Sequence, residues 1–295
     1  MSKKIKKVAI FGGTHGNEMT GIYLIKKFLK NPHLIERSTF DIFPSLANPK
    51  AIDLSVRYVD TDLNRCFDQR DIDNLDNALY EQLLAKTIYQ KLTKNQIQFL
   101  IDLHSTTSQM GLSIILSDTN SFHLCLVSYL SSIYPELKVL YYRSERENLL
   151  LRSSTELGLT IEVGPVAQGI LDAKLFSQTE QLIYSLLDYL DNYNQEKIED
   201  LPRKLTYYEV FKTIDYPRNH QEITAMIHPT LQFKDYQPLN PGDPLFITFD
   251  GETINYEGNT TVYPVFINES AYYEKSIAMC LTQKREVTVT LNNNE

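Results

Sequence analysis

No stretch of these 295 residues approaches the ~18 consecutive apolar positions that a membrane-spanning helix needs, so a membrane protein is not expected. Cysteines number only three, Cys66, Cys125 and Cys280. Odd in count and widely spaced, they offer neither a disulfide framework nor a CxxC metal site, and a reducing cytoplasm fits best. Basic residues fall short of acidic ones, 29 against 37 for a net charge of −8, and no Lys/Arg cluster lies among aromatics. The electrostatic footprint of a nucleic-acid binder is therefore missing. A secretory leader is not expected either, because the basic start MSKKIKK runs through a short apolar segment straight into glycines, with no small-residue cleavage site. There is no internal repeat and no low-complexity segment. What remains is an ordinary balance of 42% hydrophobic and 22% charged residues, long enough to bury a sizeable core as one large domain or two modest ones.

The run KVAIFGG (7–13) reads as a buried strand, and in NEMTGIYLIKKFLK behind it Ile22, Ile25, Phe28 and Leu29 recur at helical spacing. The alternation continues with a strand at FDIFPSL, a helix at NALYEQLLAKTIYQKL, a strand at QFLIDLH, a helix at FHLCLVSYLSSIY and a strand at LTIEVG. Asp172 is placed to cap a long helix carrying Leu175, Leu182, Ile183, Leu186 and Leu190. Strands alternating with helices predict an α/β sheet covered on both faces. Near Leu201 the texture changes. Seven of the twelve prolines lie at or after Pro202, and short β runs (PLFITFDG, TVYPVFIN and the alternating EVTVTL) replace long helices. The expected division is an α/β catalytic domain over 1–201 and a smaller β-rich domain over 202–295.

FGGTHGNEMTG (11–21) puts His15 and Glu18 where a strand passes through a glycine loop into a helix, at the carboxyl edge where open α/β sheets bind ligands. By itself H-x-x-E is a weak metal signal, and a turn histidine with a helix-start glutamate is the plainer alternative. FLIDLHSTTS strengthens it. Along a strand Leu100, Asp102 and His104 share one face, with Ile101 and Leu103 on the other. His104 could be a hydrogen-bonded core residue, yet Asp102 beside it is the kind of carboxylate that fixes a ligand imidazole's tautomer, on His104 or on a neighbouring histidine. Two histidines and a carboxylate from two strand ends make a three-ligand zinc set with a fourth position open, the catalytic rather than the structural pattern. In LTIEVGPVAQG, Leu159, Ile161 and Val163 face the core and Glu162 the opposite side, where it is either a salt-bridge partner or a general base. In RYVDTDLNRCF, Arg57, Asn64 and Arg65 stand among Asp60 and Asp62, forming either a surface ion-pair network or a clamp for a carboxylate and an oxyanion.

In their order and spacing, GGTHGNE, DTDLNR, DLHSTTS and IEVGP closely resemble the aspartoacylase/succinylglutamate desuccinylase branch of the zinc carboxypeptidase-like superfamily. DYPR, IHP, PGDP and VYPVFINESAYYEK carry the resemblance over nearly the whole chain. It implies a zinc carboxypeptidase-like mixed sheet flanked by helices, with the β-rich C-terminal domain narrowing the entrance to the site. It also implies one zinc ion per subunit on His15, Glu18 and His104, Glu162 as the base that activates water and returns the proton to the leaving amine, and Arg57 as the group polarising the amide carbonyl and stabilising its oxyanion. By similarity Asn64 and Arg65 grip an α-carboxylate with help from Tyr272, Arg152 in LLLRSS receives an aspartate side-chain carboxylate, and Asp62 supports the arginines. Three positions depart from the family pattern. Asn148 stands where a tyrosine is common, and Gln237 and Ser276 stand where some members carry lysines, which would weaken steering of a dianion.

The implied reaction is zinc-dependent hydrolysis of N-acetyl-L-aspartate to acetate and L-aspartate, with a small N-acyl amino acid as the only partner besides a second copy, since family members often dimerise. One alternative is an aminoacylase for N-acetylated aromatic or neutral amino acids, with Arg152 as the discriminating residue. Another is a succinylglutamate desuccinylase, against which the YPVFINESAYYEK ending argues. A non-catalytic zinc-binding member is opposed by the joint presence of Glu162, Arg57 and three ligands. A cysteine hydrolase built on Cys66 lacks a histidine nearby in sequence.

Overall fold

The computed structural model describes residues 4–74, 76, 78–142, 150–198 and 203–290. The chain opens with β1 (Lys7–Gly12), α1 (Met19–Lys30), β2 (Asp41–Leu46), α2 (Pro49–Leu54), α3 (Gln69–Asp73), α4 (Tyr80–Asn95) and β3 (Phe99–Ser105). It continues through β4 (Gly111–Leu116), α5 (Ser121–Ile133), β5 (Lys138–Tyr141), β6 (Leu157–Gly164) and α6 (Ala173–Asn194). The last third holds β7 (Arg203–Ile214), β8 (Arg218–Asn219), β9 (Glu222–Ile223), β10 (Ala225–Ile227), β11 (Pro244–Thr248), β12 (Thr253–Asn255), β13 (Tyr263–Val265) and β14 (Met279–Val289). Asp172 caps α6 as expected, its carboxylate accepting the Leu175 N–H at 2.8 Å. Among the described residues no helix is long and apolar enough to cross a membrane.

Nine strands form one mixed sheet in the order β13-β14-β7-β5-β4-β6-β3-β1-β2. The block β2-β1-β3-β6 is parallel, β4 inserts antiparallel to β6, and β5 and β7 follow parallel to β4. Pro44 lies in β2, the outermost strand, where a missing N–H costs no ladder bond. Two of the C-terminal β runs are longer than their sequence suggests: β7 has 12 residues and β14 has 11, paired antiparallel with a bulge. Through the β5–β7 pairing they extend the sheet begun by the first two hundred residues. β10, β11 and β12 form a separate small sheet around their own apolar cluster, which includes Ala225, Leu245, Phe246 and Val262.

The alternation read along β3 and β6 is realised. Ile101, Leu103, Leu159, Ile161 and Val163 enter the large core with Leu24, Ile25 and Phe28 of α1, Leu126 and Leu130 of α5, and Leu182, Ile183 and Leu186 of α6. On the opposite face Leu100 packs with Phe11, Leu63, Phe67 and the α4 residues Ala85, Ile88 and Leu92. Further along that face Ile115 and Leu140 meet Tyr208, Phe266 and Cys280 from the last third of the chain. Between these two apolar clusters, over the ends of β1, β3 and β6, the side chains turn polar.

Candidate active site

β1 ends in glycines because the chain must pass close to its neighbours there. A side chain at Gly16 would meet the Ala51 carbonyl carbon of α2 at 2.0 Å, so only glycine lets this loop lie flat and aim His15 inward. Glu18 stands at the N-cap position of α1 but does not cap it. Its carboxylate is used elsewhere: Oε1 lies 2.5 Å from His15 Nδ1, and Oε2 lies 3.0 Å from His104 Nδ1 and accepts the Ser105 N–H at 3.0 Å. The two imidazoles are 4.9 Å apart between ring centroids. Each has a carboxylate behind it, with His15 Nε2 3.0 Å from Asp62 and His104 Nε2 2.7 Å from Asp102. Asp102 also accepts the Thr14 hydroxyl at 2.7 Å.

This donor set answers whether the three residues suit a metal. If both Nε2 atoms carry the hydrogens given to Asp62 and Asp102, both Nδ1 lone pairs point at the Glu18 carboxylate. Lone pair facing anion is repulsive unless a cation lies between them. One ligand atom from each of His15, Glu18 and His104 falls within 4.8 Å of the others, and all three residues are buried. Two imidazole nitrogens and one carboxylate fit zinc with a coordination position to spare. The field agrees in sign. Burial alone would raise the Glu18 carboxyl, but His15 and His104 outweigh it and hold it well below the usual range. For His104, burial works against the charged ring and is overcome by Asp102 and Glu18, which hold it well above the usual histidine range.

Glu162 is the cross-strand neighbour of His104 in the β3–β6 register and sits on the same face. Burial, aided by the nearby Glu18 and Glu269 carboxylates, pushes its pKa up to about 8, against the pull of His104 and Arg57. Arg57 reaches Glu18 at 3.3 Å and Asp62 at 3.4 Å, and its Nε is buried without a partner. Asp62 does more than support arginines. Its carboxylate holds His15, pairs with Arg57 and receives the Lys275 ammonium from the last third of the chain, whereas Arg65 meets Asp62 through the backbone, its N–H donating to the Asp62 carbonyl at 2.9 Å.

Arg65, Asn64, Arg152 and Tyr272 all line the same cavity as the ligand set, Glu162 and Arg57. Asn64 Oδ1 accepts the Leu151 N–H at 2.9 Å, and its Nδ2 lies 3.4 Å from a His104 Nε2 already turned to Asp102, which leaves the amide hydrogens for a ligand. Arg152 is 5% exposed and among the described residues hydrogen-bonds to hydroxyls, Ser117 through Nε at 2.7 Å and Thr160 through Nη1 at 3.3 Å. Its Nη2 is buried with no partner among the described residues, and burial, reinforced by the Arg65 charge, lowers its pKa to about 10. Beside it Ile115, Leu140, Tyr142, Leu150, Phe266 and Cys280 form an apolar wall.

Sequence reasoning did not single out Lys275, nor Glu269, a buried carboxylate that fastens the Tyr272 segment to the loop after His104. Glu269 Oε2 accepts the Thr107 N–H at 2.8 Å and the Thr106 hydroxyl. Both residues lie in the VFINESAYYEK stretch already quoted, but only the tertiary contacts give them these roles. Gln237 and Ser276 are exposed and do not line the cavity, and Asn148 falls outside the described residues. Cys66 is buried beside Asp62 with its thiol pushed up to about 12 by burial, the opposite of a nucleophile's environment.

Comparison with known proteins gives a consistent result. The succinylglutamate desuccinylase/aspartoacylase catalytic domain matches residues 4–190, and the AstE/AspA barrel-sandwich hybrid domain matches residues 203–284. A probable aspartoacylase of Nostoc sp. is 52% identical over 286 residues, covering 96% of this chain and 97% of its own. A human N-acyl-aromatic-L-amino acid amidohydrolase (carboxylate-forming) is 40% identical, covering 97% of this chain and 92% of its own. The crystal structure of murine aminoacylase 3 superposes with a TM-score of 0.94 at 37% identity, over 98% of this chain and 99% of that one.

Proposed function

The chain belongs to the succinylglutamate desuccinylase/aspartoacylase family of hydrolytic deacylases, and from that premise we propose that it hydrolyses N-acetyl-L-aspartate to acetate and L-aspartate with zinc at His15, Glu18 and His104. When bound there, zinc would supply Lewis acidity, making water more acidic and polarising the amide carbonyl. Glu162, one strand from His104, takes the proton of the attacking water and returns it to the leaving nitrogen. Arg57, held by Glu18 and Asp62 on the rim of the ligand set, stabilises the charge that develops on the carbonyl oxygen. Arg65, with the free amide hydrogens of Asn64 and the Tyr272 hydroxyl, grips the α-carboxylate, and Arg152 meets the side-chain carboxylate. The three cysteines are free and buried, which supports a reducing, cytoplasmic setting.

The observation that carries the aspartate reading is the Arg152 guanidinium, buried with one nitrogen unpartnered and no carboxylate in ion-pair contact among the described residues. A charge left this way is costly unless an anion arrives. The apolar wall beside it favours a second reading, deacylation of N-acetylated aromatic amino acids, in line with the name of the human relative. Rates of the zinc-loaded protein on N-acetylaspartate, N-acetylglutamate and N-acetyltyrosine, with a chelated control, separate the two. Preference for acetylaspartate, lost on chelation, is expected; preference for the tyrosine derivative would overturn the substrate and keep the metal chemistry.

A further inference from the structure

Glu81, in the first turn of α4, lies outside the cavity and is 0% exposed. Its carboxylate accepts three consecutive backbone N–H groups, Val59 at 2.7 Å on Oε1 and Asp60 and Thr61 at 3.0 and 3.2 Å on Oε2, together with the Asn48 amide at 3.1 Å. The contact is returned, because the Tyr80 N–H at the start of α4 donates to the Asp60 carboxylate at 2.8 Å. Helix polarity favours an anion at this end of α4, and four donors offset the desolvation of a buried carboxylate.

Besides Glu81, polar contacts tie this stretch down on its N-terminal side, the Val56 N–H donating to the Ala51 carbonyl at 3.0 Å and the Tyr58 hydroxyl to Glu274 at 2.6 Å. Leu54, Val56, Val59 and Asp60 are exposed, so apolar packing does not determine the loop's path. Its neighbours are the residues assigned above to the substrate, with Arg57 just before it and Asn64 and Arg65 just after. The same network reaches the His15 loop: the Arg57 carbonyl accepts the Gly16 N–H at 3.2 Å, and the Asn48 N–H donates to the Gly13 carbonyl at 3.1 Å. We propose that Glu81 is a positioning residue, which sets the separation between the Arg57 guanidinium and the Asn64–Arg65 pair by gathering the Val59, Asp60 and Thr61 amides, and so sets the grip on the substrate α-carboxylate. The ligand class rests on the function proposed above, but the α-carboxylate is common to its aspartate and aromatic versions.

The test uses the full zinc-loaded chain and Glu81→Gln, which keeps the shape but turns an NH2 group onto the Asp60 and Thr61 N–H donors. Amide hydrogen exchange should lose protection over 59–61 while β1 and α1 are unchanged. Well below the melting transition, with zinc content equal to wild type, kcat/KM on whichever acyl amino acid the wild type hydrolyses should fall roughly 100-fold, chiefly through KM. Combined with Arg65→Met, the loss should be smaller than the product of the two single losses, because both act on one carboxylate. Asp60→Asn, at an exposed position, should raise KM in the same direction by a smaller factor. A variant that melts earlier but keeps wild-type KM and kcat, or losses that multiply fully, would overturn the proposal. If the wild type hydrolyses none of the acyl amino acids, the functional reading falls, and the exchange comparison alone decides on Glu81, with retained protection counting against it.

Discussion

At the end of the cavity built from β1 and β3, each buried charge touches one of opposite sign; at the end over β4 and β6, Arg152 touches none among the described residues. His15 and His104 have Glu18 in front and Asp62 and Asp102 behind, and Arg57 and Lys275 close the set. Arg152 is as deeply buried but, among the described residues, has the Ser117 and Thr160 hydroxyls and no carboxylate. Its pKa has come down from the ordinary arginine value to about 10, a penalty on the order of 3 kcal/mol. On the proposed function, the first end suits a resident cation. The second holds no anion beside Arg152 among the described residues, which on the proposed function leaves room for the substrate's carboxylate to arrive and leave.

Glu162 stands between the two ends, and its replacement should have the largest effect. Glu162→Gln should lower kcat about 1,000-fold with zinc content unchanged, the scale of losing a general base; an active, zinc-replete variant would remove Glu162 from the mechanism. Chelation should abolish the same activity, with zinc restoring it.

The contrast itself can be broken from either end. Asp102→Ala leaves a buried imidazole without its carboxylate and should lower unfolding stability by about 3–5 kcal/mol. Arg152→Met should act in the opposite direction, raising the stability of the ligand-free protein by up to about 3 kcal/mol while cutting kcat/KM on acetylaspartate roughly 100-fold. Denaturant titrations of both variants decide this, and a destabilised Arg152→Met protein would mean that Arg152 is compensated after all.

A further effect concerns pH. In the metal-free protein Glu162 titrates near 8 against an ordinary value of 4.5, so between those values the folded chain holds a proton that the unfolded chain has released. Stability should therefore fall as pH rises from about 5 to about 8 and level off above. Glu162→Gln, neutral throughout, should lack that decline, and chelated melting curves of the two proteins across this window make the comparison. Parallel curves would show that burial does not hold the proton on Glu162.

Much of this arrangement was legible from local pattern. The alternation in FLIDLHS and LTIEVG put Asp102, His104 and Glu162 on the face opposite the core, and the Asp172 cap and the amphipathic spacing of α1 and α6 came from residues within a turn or two of each other. Less visible were β4 and β5, six and four residues long, which carry no distinctive period. That β4 inserts antiparallel beside β6, bringing Ile115 and Ser117 next to Thr160 and Arg152, depends on pairings remote in sequence. Pro-rich texture after Leu201 correctly suggested β structure, but not that β7 and β14 would be long and continue the main sheet.

By itself the sequence determined which side chains stand at strand ends and on which face, because periodicity and glycine placement act over a few residues. Tertiary structure alone decided how charge is shared among them. Asp62 serving His15, Lys275 arriving from more than 200 residues away, Glu81 gathering 59–61 and Arg152 meeting the Ser117 hydroxyl are contacts between segments 20 or more residues apart. Coulomb and hydrogen-bond energies depend on separations of a few ångströms in space, and separation along the chain does not encode them.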